Sequence, residues 1–476
     1  MCAALGLAAS ACGGGGGGAA PVRVPPAPPA APHADWPAFG YDAQRTGHNP
    51  NESVLGAEDV GGLRLRWSFA SGAPIVAQPI LAANVAVGGK ATDVLYVGNE
   101  AGTLWALDAR SGATLWKQQL GVAANACADL PSWGITSTGT IARAPVAALY
   151  VADGAGTVHA LDLASGRAIA GWRAPVTVVG DSQLEYPYGA LALAAGGILY
   201  ATSAGYCDAG TYDGSIVALG AADGGRRGRW VPERAPSWGS GMWGAGGVVA
   251  DPRASVRDVY VATGNGFPDE AAVYSDAVVR LSDALVPVAV SSLWNPALQD
   301  DDFGASPVTF VPPACPPQLA LEQKSGALDL FELDAIGRGP VQQIAIGTPT
   351  NQGYNIDAAA WDPVTATLLI GNGSANGVYA EGLLAFSSAF CRLEPLWQAP
   401  LPAGTPPSPL SAPVVANGVV YYATGVHGTV AAFDVRTGRP LWESPPFRGP
   451  AFAPPTVVNG MLYAASMDGS VDAFGL

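Results

Sequence analysis

The chain has 476 residues and a formal net charge of −15, with 49% hydrophobic and only 13% charged residues. Only three lysines are present, Lys90, Lys117 and Lys324, so no basic face is available to a nucleic acid. No run of about 18 apolar residues follows the N-terminus, which excludes a membrane-spanning helix there.

Residues 1–34 read as an address and a tether. A short apolar run, Ala3 to Ala11, ends Ala9-Ser10-Ala11-Cys12. It resembles a bacterial lipobox, which implies lipidation of Cys12 and export as a periplasmic or cell-surface lipoprotein. Six glycines, Gly13 to Gly18, and a Pro/Ala stretch to Pro32 then give a flexible leash and a stiffer spacer. The glycine run lacks a following Lys-Ser/Thr and a flanking strand, so it is not a phosphate loop.

Residues 35–476 are expected to form the folded part. Leu63-Arg-Leu-Arg-Trp67-Ser-Phe69 looks like an outer strand without a blade. A repeat then begins. Leu104 to Trp116 and Val430 to Trp442 match as Ala-x-Asp-x-x-Ser/Thr-Gly-x-x-x-Trp, with a looser copy from Ala160 to Trp172. The Asp can bond its own turn, the Gly supplies a positive φ, and the Trp is expected to cover the outer edge of its blade. A second signature, a hydrophobic strand ending near Tyr, precedes each copy. Anchored at Tyr96, Tyr150, Tyr200, Tyr260, Ala320, Leu369, Tyr421 and Tyr463, the copies are 42 to 60 residues apart. Eight copies of about four strands predict an all-β, eight-bladed β-propeller of four-stranded antiparallel blades. The last copy ends at Val471-Asp-Ala-Phe474 and has only three strands. Leu63 to Phe69 is expected to supply its fourth and close the ring, which removes an exposed edge.

Asp35-Trp-Pro-Ala-Phe-Gly-Tyr-Asp42, Thr46 and the Leu63-to-Phe69 strand resemble the opening of the pyrroloquinoline quinone (PQQ) dependent alcohol dehydrogenases, and the resemblance runs over nearly all of residues 35–476. The same repeat type builds non-enzymatic scaffolds such as the BamB-type lipoproteins, so fold alone does not give function. The resemblance implies a quinone on a tryptophan floor, a calcium ion held by Glu and Asn, and an Asp base. The stretch Trp243-Gly-Ala-Gly-Gly to Tyr260-Val-Ala-Thr-Gly-Asn265 matches the floor Trp and the calcium-binding Asn. Asp302-Phe303 resembles the pair that supplies the base, and Lys324-Ser-Gly326 the cation that contacts the quinone oxygens. The chemistry needs these types: a flat face, a carboxylate for the alcohol proton and a cation for the reduced quinone. Each residue also has a purely structural reading, as inter-blade packing for Trp243, a tight turn for Asn265, a solvated acidic run for Asp302 and a surface turn for Lys324.

Several features depart from the pattern. Asp208-Ala209 stands where the calcium-binding Glu is implied, and Asp208 is a shorter substitute. The sequence contains no Cys-Cys pair and no Cys-x-x-Cys-His for a covalent haem, and its four histidines are isolated. These departures favour a binding or scaffold protein of the cell envelope with an unidentified protein partner. The alternative is a divergent PQQ- and Ca-dependent dehydrogenase of small alcohols.

Four cysteines fall in the folded part, and four allow three pairings. With strands running outward from the axis, Cys315 lies between the first two strands of one blade and Cys391 between the last two of the next, both on one face. Cys127, between the first and second blades, and Cys207, within the third, lie on the other. The expected pairs are Cys315–Cys391 and Cys127–Cys207, as suits an exported chain.

Overall fold

The computed structural model describes residues 33–124, 130, 132–173, 175–233, 235–267, 273–293, 303–349 and 354–476. Short β-branched and alanine-rich strands punctuated by Gly, Asn and Asp turns pair antiparallel into eight blades, beside two two-stranded sheets in the links and loops. Blade 1 runs Ile80–Val87, Lys90–Gly98, Thr103–Asp108 and Thr114–Gln119 from the axis outward. Blades 2 to 7 begin at Thr140, Ala192, Val249, Val308, Ala360 and Val414. Blade 8 has three consecutive strands, Thr456–Val458, Met461–Ala465 and Ser470–Gly475, and its outer strand is Arg64–Ala70. The register runs from Arg64 opposite Gly475 to Ala70 opposite Ser470, so the ring closes as the three-stranded last copy requires.

The repeat motif is a staple between blades. Asp108 Oδ1 accepts bonds from the amides of Arg110 and Ser111 and from the Ser111 hydroxyl, and Asp434 does the same with Arg436 and Thr437. The tryptophans, expected at the edge of their own blade, instead reach the next one. Trp67 Nε1 donates to Ala109 O (3.1 Å), Trp116 to Leu163 O (3.2 Å) and Trp397 to Val435 O (2.9 Å). Each acceptor follows the motif Asp. The second-strand tyrosines converge on the same carbonyls, Tyr463 on Ala109 and Tyr96 on Leu163. The motif Gly lies flat under the incoming ring: a Cβ on Gly166, whose φ is +68°, would stand 2.6 Å from Trp116 Cε3. Thus Asp, Gly and Trp are spaced as they are because turn, floor and staple belong to one contact.

The centre of the ring is filled by the segment before the first blade. It bonds the inner strand of seven blades and, at the third, the residue just before that strand. Leu81 and Trp36 exchange amide bonds, Ile141 N donates to Pro37 O, Ala250 N to Ala43 O and Thr309 N to Gln44 O. Trp361 N donates to Thr46 O and Val415 N to Gly47 O. Asn49 Nδ2 reaches Val457 O (2.8 Å), and Arg45, 1% exposed, reaches Leu191 O at the third blade (3.1 Å). Phe39 packs with Ala190, Ala245, Ala358 and Ala412 at the axis. The central channel is therefore plugged, and what remains above the plug is a blind cup.

Cys315 and Cys391 are bonded, joining blades 5 and 6 across 76 residues. Cys207 is disulfide-bonded as well; its expected partner Cys127, like Cys12, lies outside the described residues.

Candidate functional site

Above the plug lies a cavity of ≈ 630 Å³, within the range of about 300–1,000 Å³ usual for small-molecule sites. Apart from Ala204 and Gly205, which end the second strand of blade 3, the lining comes from second-to-third-strand loops and from links between blades, which share one face of the ring. The disulfide Cys315–Cys391 braces the opposite face.

The residues singled out in the sequence converge here. Trp243 comes from the link between blades 3 and 4, Asn265 from the blade 4 loop, Lys324 from the blade 5 loop and Asp208 from the blade 3 loop; all four line the cavity. Lys324 Nζ stands 5.4 Å from the centroid of the Trp243 ring, a cation over an aromatic face. Gly304 lies against the same indole, where any Cβ would collide with the ring. A side chain at 304 would displace the tryptophan, so the glycine is required by close approach. Asp302, the candidate base, lies outside the described residues. Asn265 is 8% exposed, and its side-chain oxygen and the Asp208 carboxylate are the hard donors a calcium ion takes. Asp208 Oδ1 accepts 2.7 Å from Tyr212 Oη. Cys207 and Asp208 both adopt left-handed backbone, at φ +45° and +53°. Two successive non-glycine residues there are strained, and such strain concentrates at ligand sites.

Sequence reasoning missed one wall and one acid. The wall is aromatic: Trp133 stacks on Tyr186 at 4.3 Å, and Tyr186 on Tyr206 at 4.7 Å. Glu100 holds the Trp133 segment, accepting from Gly134 N (2.7 Å) and Thr136 Oγ1 (2.9 Å). Burial pushes Glu100 up to about 7 against those bonds. The acid is Asp357, in the link between blades 5 and 6, which burial pushes up to about 7. Assigning every inter-blade link and every second-to-third-strand loop to one face would have flagged both, because Trp133, Tyr186 and Asp357 lie in such links.

The parts present suit a flat, anionic quinone with a divalent cation: an indole face, one lysine above it, two oxygen donors beside it and a glycine cradle behind it. The lining offers a single lysine among the described residues, so an anionic ligand needs the cation as counter-charge. Among the described residues no group of three His, Cys, Asp or Glu side chains forms a metal cluster. A cation would therefore be held by Asn265, Asp208 and the ligand's own oxygens together.

Comparison with known proteins agrees with this architecture. Residues 36–190 match the family described as glucose/ethanol/alcohol dehydrogenase, β-propeller domain. Residues 394–475 match that described as outer membrane protein assembly factor BamB. A curated relative from Pseudomonas sp., polyvinylalcohol dehydrogenase, is 24% identical over 516 residues, covering 93% of this chain and 74% of the relative. Among solved structures, quinohemoprotein alcohol dehydrogenase from Comamonas testosteroni superposes with TM-score 0.65 at 17% identity, covering 93% of this chain and 80% of that one. A europium-containing methanol dehydrogenase gives 0.71 at 13% identity, covering 93% and 98%. BamB from Moraxella catarrhalis gives 0.54 at 16% identity, covering 87% and 98%.

Proposed function

This chain is a PQQ-repeat β-propeller of quinoprotein-dehydrogenase-like architecture, and on that premise we propose that it is a PQQ- and calcium-dependent alcohol dehydrogenase. The observation that carries the reading is convergence. Trp243, Asn265, Lys324 and Asp208, chosen one by one from the sequence, arrive from four separate segments at one blind cavity. A scaffold needs the ring but has no need of that set.

In this reading Trp243 gives the flat face on which the cofactor rests, and Lys324 supplies positive charge over that face. Asn265 and Asp208 hold the cation. A bound quinone would supply the two-electron acceptor that the protein's own side chains lack. Val76, Leu130, Phe452, Pro454 and Met467 give the rest of the lining an apolar character suited to an aliphatic alcohol. Extending the curated relative's substrate to this chain, that alcohol is a secondary one on a carbon chain. The plug beneath the cavity forces substrate and product to use the same mouth. The disulfides favour an oxidising compartment outside the cytoplasm, with Cys12 as the anchor.

A second reading, a BamB-like scaffold with a protein partner, rests on the match of residues 394–475. The experiment is reconstitution of purified protein with PQQ and calcium, followed by dye reduction with primary and secondary alcohols. Dye reduction that needs both additions supports the dehydrogenase. No dye reduction with any alcohol rejects it and leaves the scaffold.

A further inference from the structure

The link between blades 5 and 6 carries an acid for which the reading above has no use. Asp357 lines the cavity there, and its Oδ1 accepts 2.8 Å from Ala358 N. Its surroundings are apolar: Ile356 and Leu410 share the lining, and Ala358 packs on Phe39 of the plug. Beside it, Glu322 ends the second strand of blade 5. Glu322 is 2% exposed, and its Oε2 has no hydrogen-bond partner. A buried carboxylate with an unmet oxygen is costly, so the neutral acid is the favoured form. Burial pushes Glu322 well above the carboxylate range, and the charge of Asp357 adds to that. Two carboxyls in one apolar wall ionise one at a time. Asp357, which has access to the cavity, ionises first. The other charged groups among the described lining are Lys324 from blade 5 and Asp208 from blade 3; the blade 7 side brings Pro409 and Leu410 to the lining and the Ala412 amide to the Asp357 carboxylate.

We propose that Asp357 is the proton acceptor for alcohol oxidation in this cavity, with Glu322 as a neutral neighbour that keeps the wall from carrying two charges. The proposal rests on the dehydrogenase reading and assigns the base to the blade 5–6 link rather than to Asp302. In the step, the alcohol O–H bond breaks and its proton passes to the Asp357 carboxylate. The carbinol C–H bond breaks, and its hydrogen leaves with both electrons to an ortho-quinone. The carbonyl forms; the alcohol is oxidised and the quinone reduced. A carboxyl that ionises near neutrality is free to accept at working pH and basic enough to do so.

The test loads wild-type protein, Asp357→Asn, Asp302→Asn and Glu322→Gln with PQQ and calcium. Three quantities are read: quinone absorbance after desalting, kcat/KM for a secondary alcohol against pH, and the infrared band of protonated carboxyls in unloaded protein against pH. Wild-type kcat/KM should rise with pH along an acid limb centred near neutrality. Asp357→Asn should retain PQQ, lose that limb and fall by about 100-fold or more. Asp302→Asn should keep the limb. The protonated-carboxyl band should fade through neutrality in wild type and in Glu322→Gln, and that component should be missing from Asp357→Asn. An Asp357→Asn protein with the wild-type limb and rate overturns the assignment, as does loss of the limb in Asp302→Asn alone. Wild-type protein that retains no PQQ overturns the dehydrogenase reading itself and the proton-transfer role with it.

Discussion

The Leu163 carbonyl accepts two hydrogen bonds from the blade before it, from Tyr96 Oη at 2.8 Å and Trp116 Nε1 at 3.2 Å. Replacing Tyr96 with Phe removes one donor and leaves the carbonyl its other partner, at a cost of about 1 kcal/mol. Replacing Trp116 with Phe removes the second donor and part of the ring over Gly166, at about 1–2 kcal/mol. With both changes, a carbonyl on a residue only 4% exposed has lost both donors. An unmet buried acceptor adds about 1–3 kcal/mol that neither single variant reveals. The double-mutant cycle should therefore show a coupling of about 1–2 kcal/mol, destabilising beyond the sum. For a folded unit of this length, unfolding entropy converts 1 kcal/mol into roughly 1 °C. Calorimetry should find each single variant lower by about 1–2 °C and the double variant by about 3–5 °C. An additive double variant would refute the shared-acceptor account of the blade staple.

Arg45→Met should destabilise by about 3–5 kcal/mol in thermal unfolding, because Arg45 donates to Gly246, Phe39 and Leu191 carbonyls that would be orphaned at the axis; an unchanged midpoint would show that the plug does not hold the ring. Cys391→Ser opens a link spanning 76 residues, and chain entropy predicts a loss of about 4 kcal/mol, read as a lower denaturant midpoint. Burial raises Glu100 to about 7 from its ordinary 4.5, so the stability it confers is fully present below about pH 4.5 and is lost as pH rises towards 7, by about 3 kcal/mol. Glu100→Gln should flatten stability against pH across that window, and an unaltered slope would reject the assignment.

The ring and its closure were legible in the sequence because each follows from spacing. The Asp-x-x-Ser/Thr-Gly-x-x-x-Trp period marks strand, turn and staple, and the missing fourth strand of the last copy points to Leu63–Phe69. The target of the tryptophans was not legible, since Trp116 and Leu163 are far apart in the chain and meet only when blades stack. The plug escaped notice for the same reason. Residues 36–49 show no strand alternation, because their bonds are shared out among eight different blades. Trp243, Asn265 and Lys324 were found through family resemblance, whereas Asp357 and Trp133 match no motif and owe their place to topology alone. Asp357 looks like any acid before an alanine run until Glu322 and the plug are set beside it.

Equilibrium binding of PQQ with and without calcium, followed by tryptophan fluorescence, is the most direct test of the axial cavity as a cofactor site. One PQQ per chain should bind only with calcium. Trp243→Ala and Asn265→Ala should each lose that binding while keeping the wild-type far-ultraviolet circular dichroism and a cooperative thermal transition. Absence of binding, or binding that needs no calcium and survives both substitutions, would contradict the account.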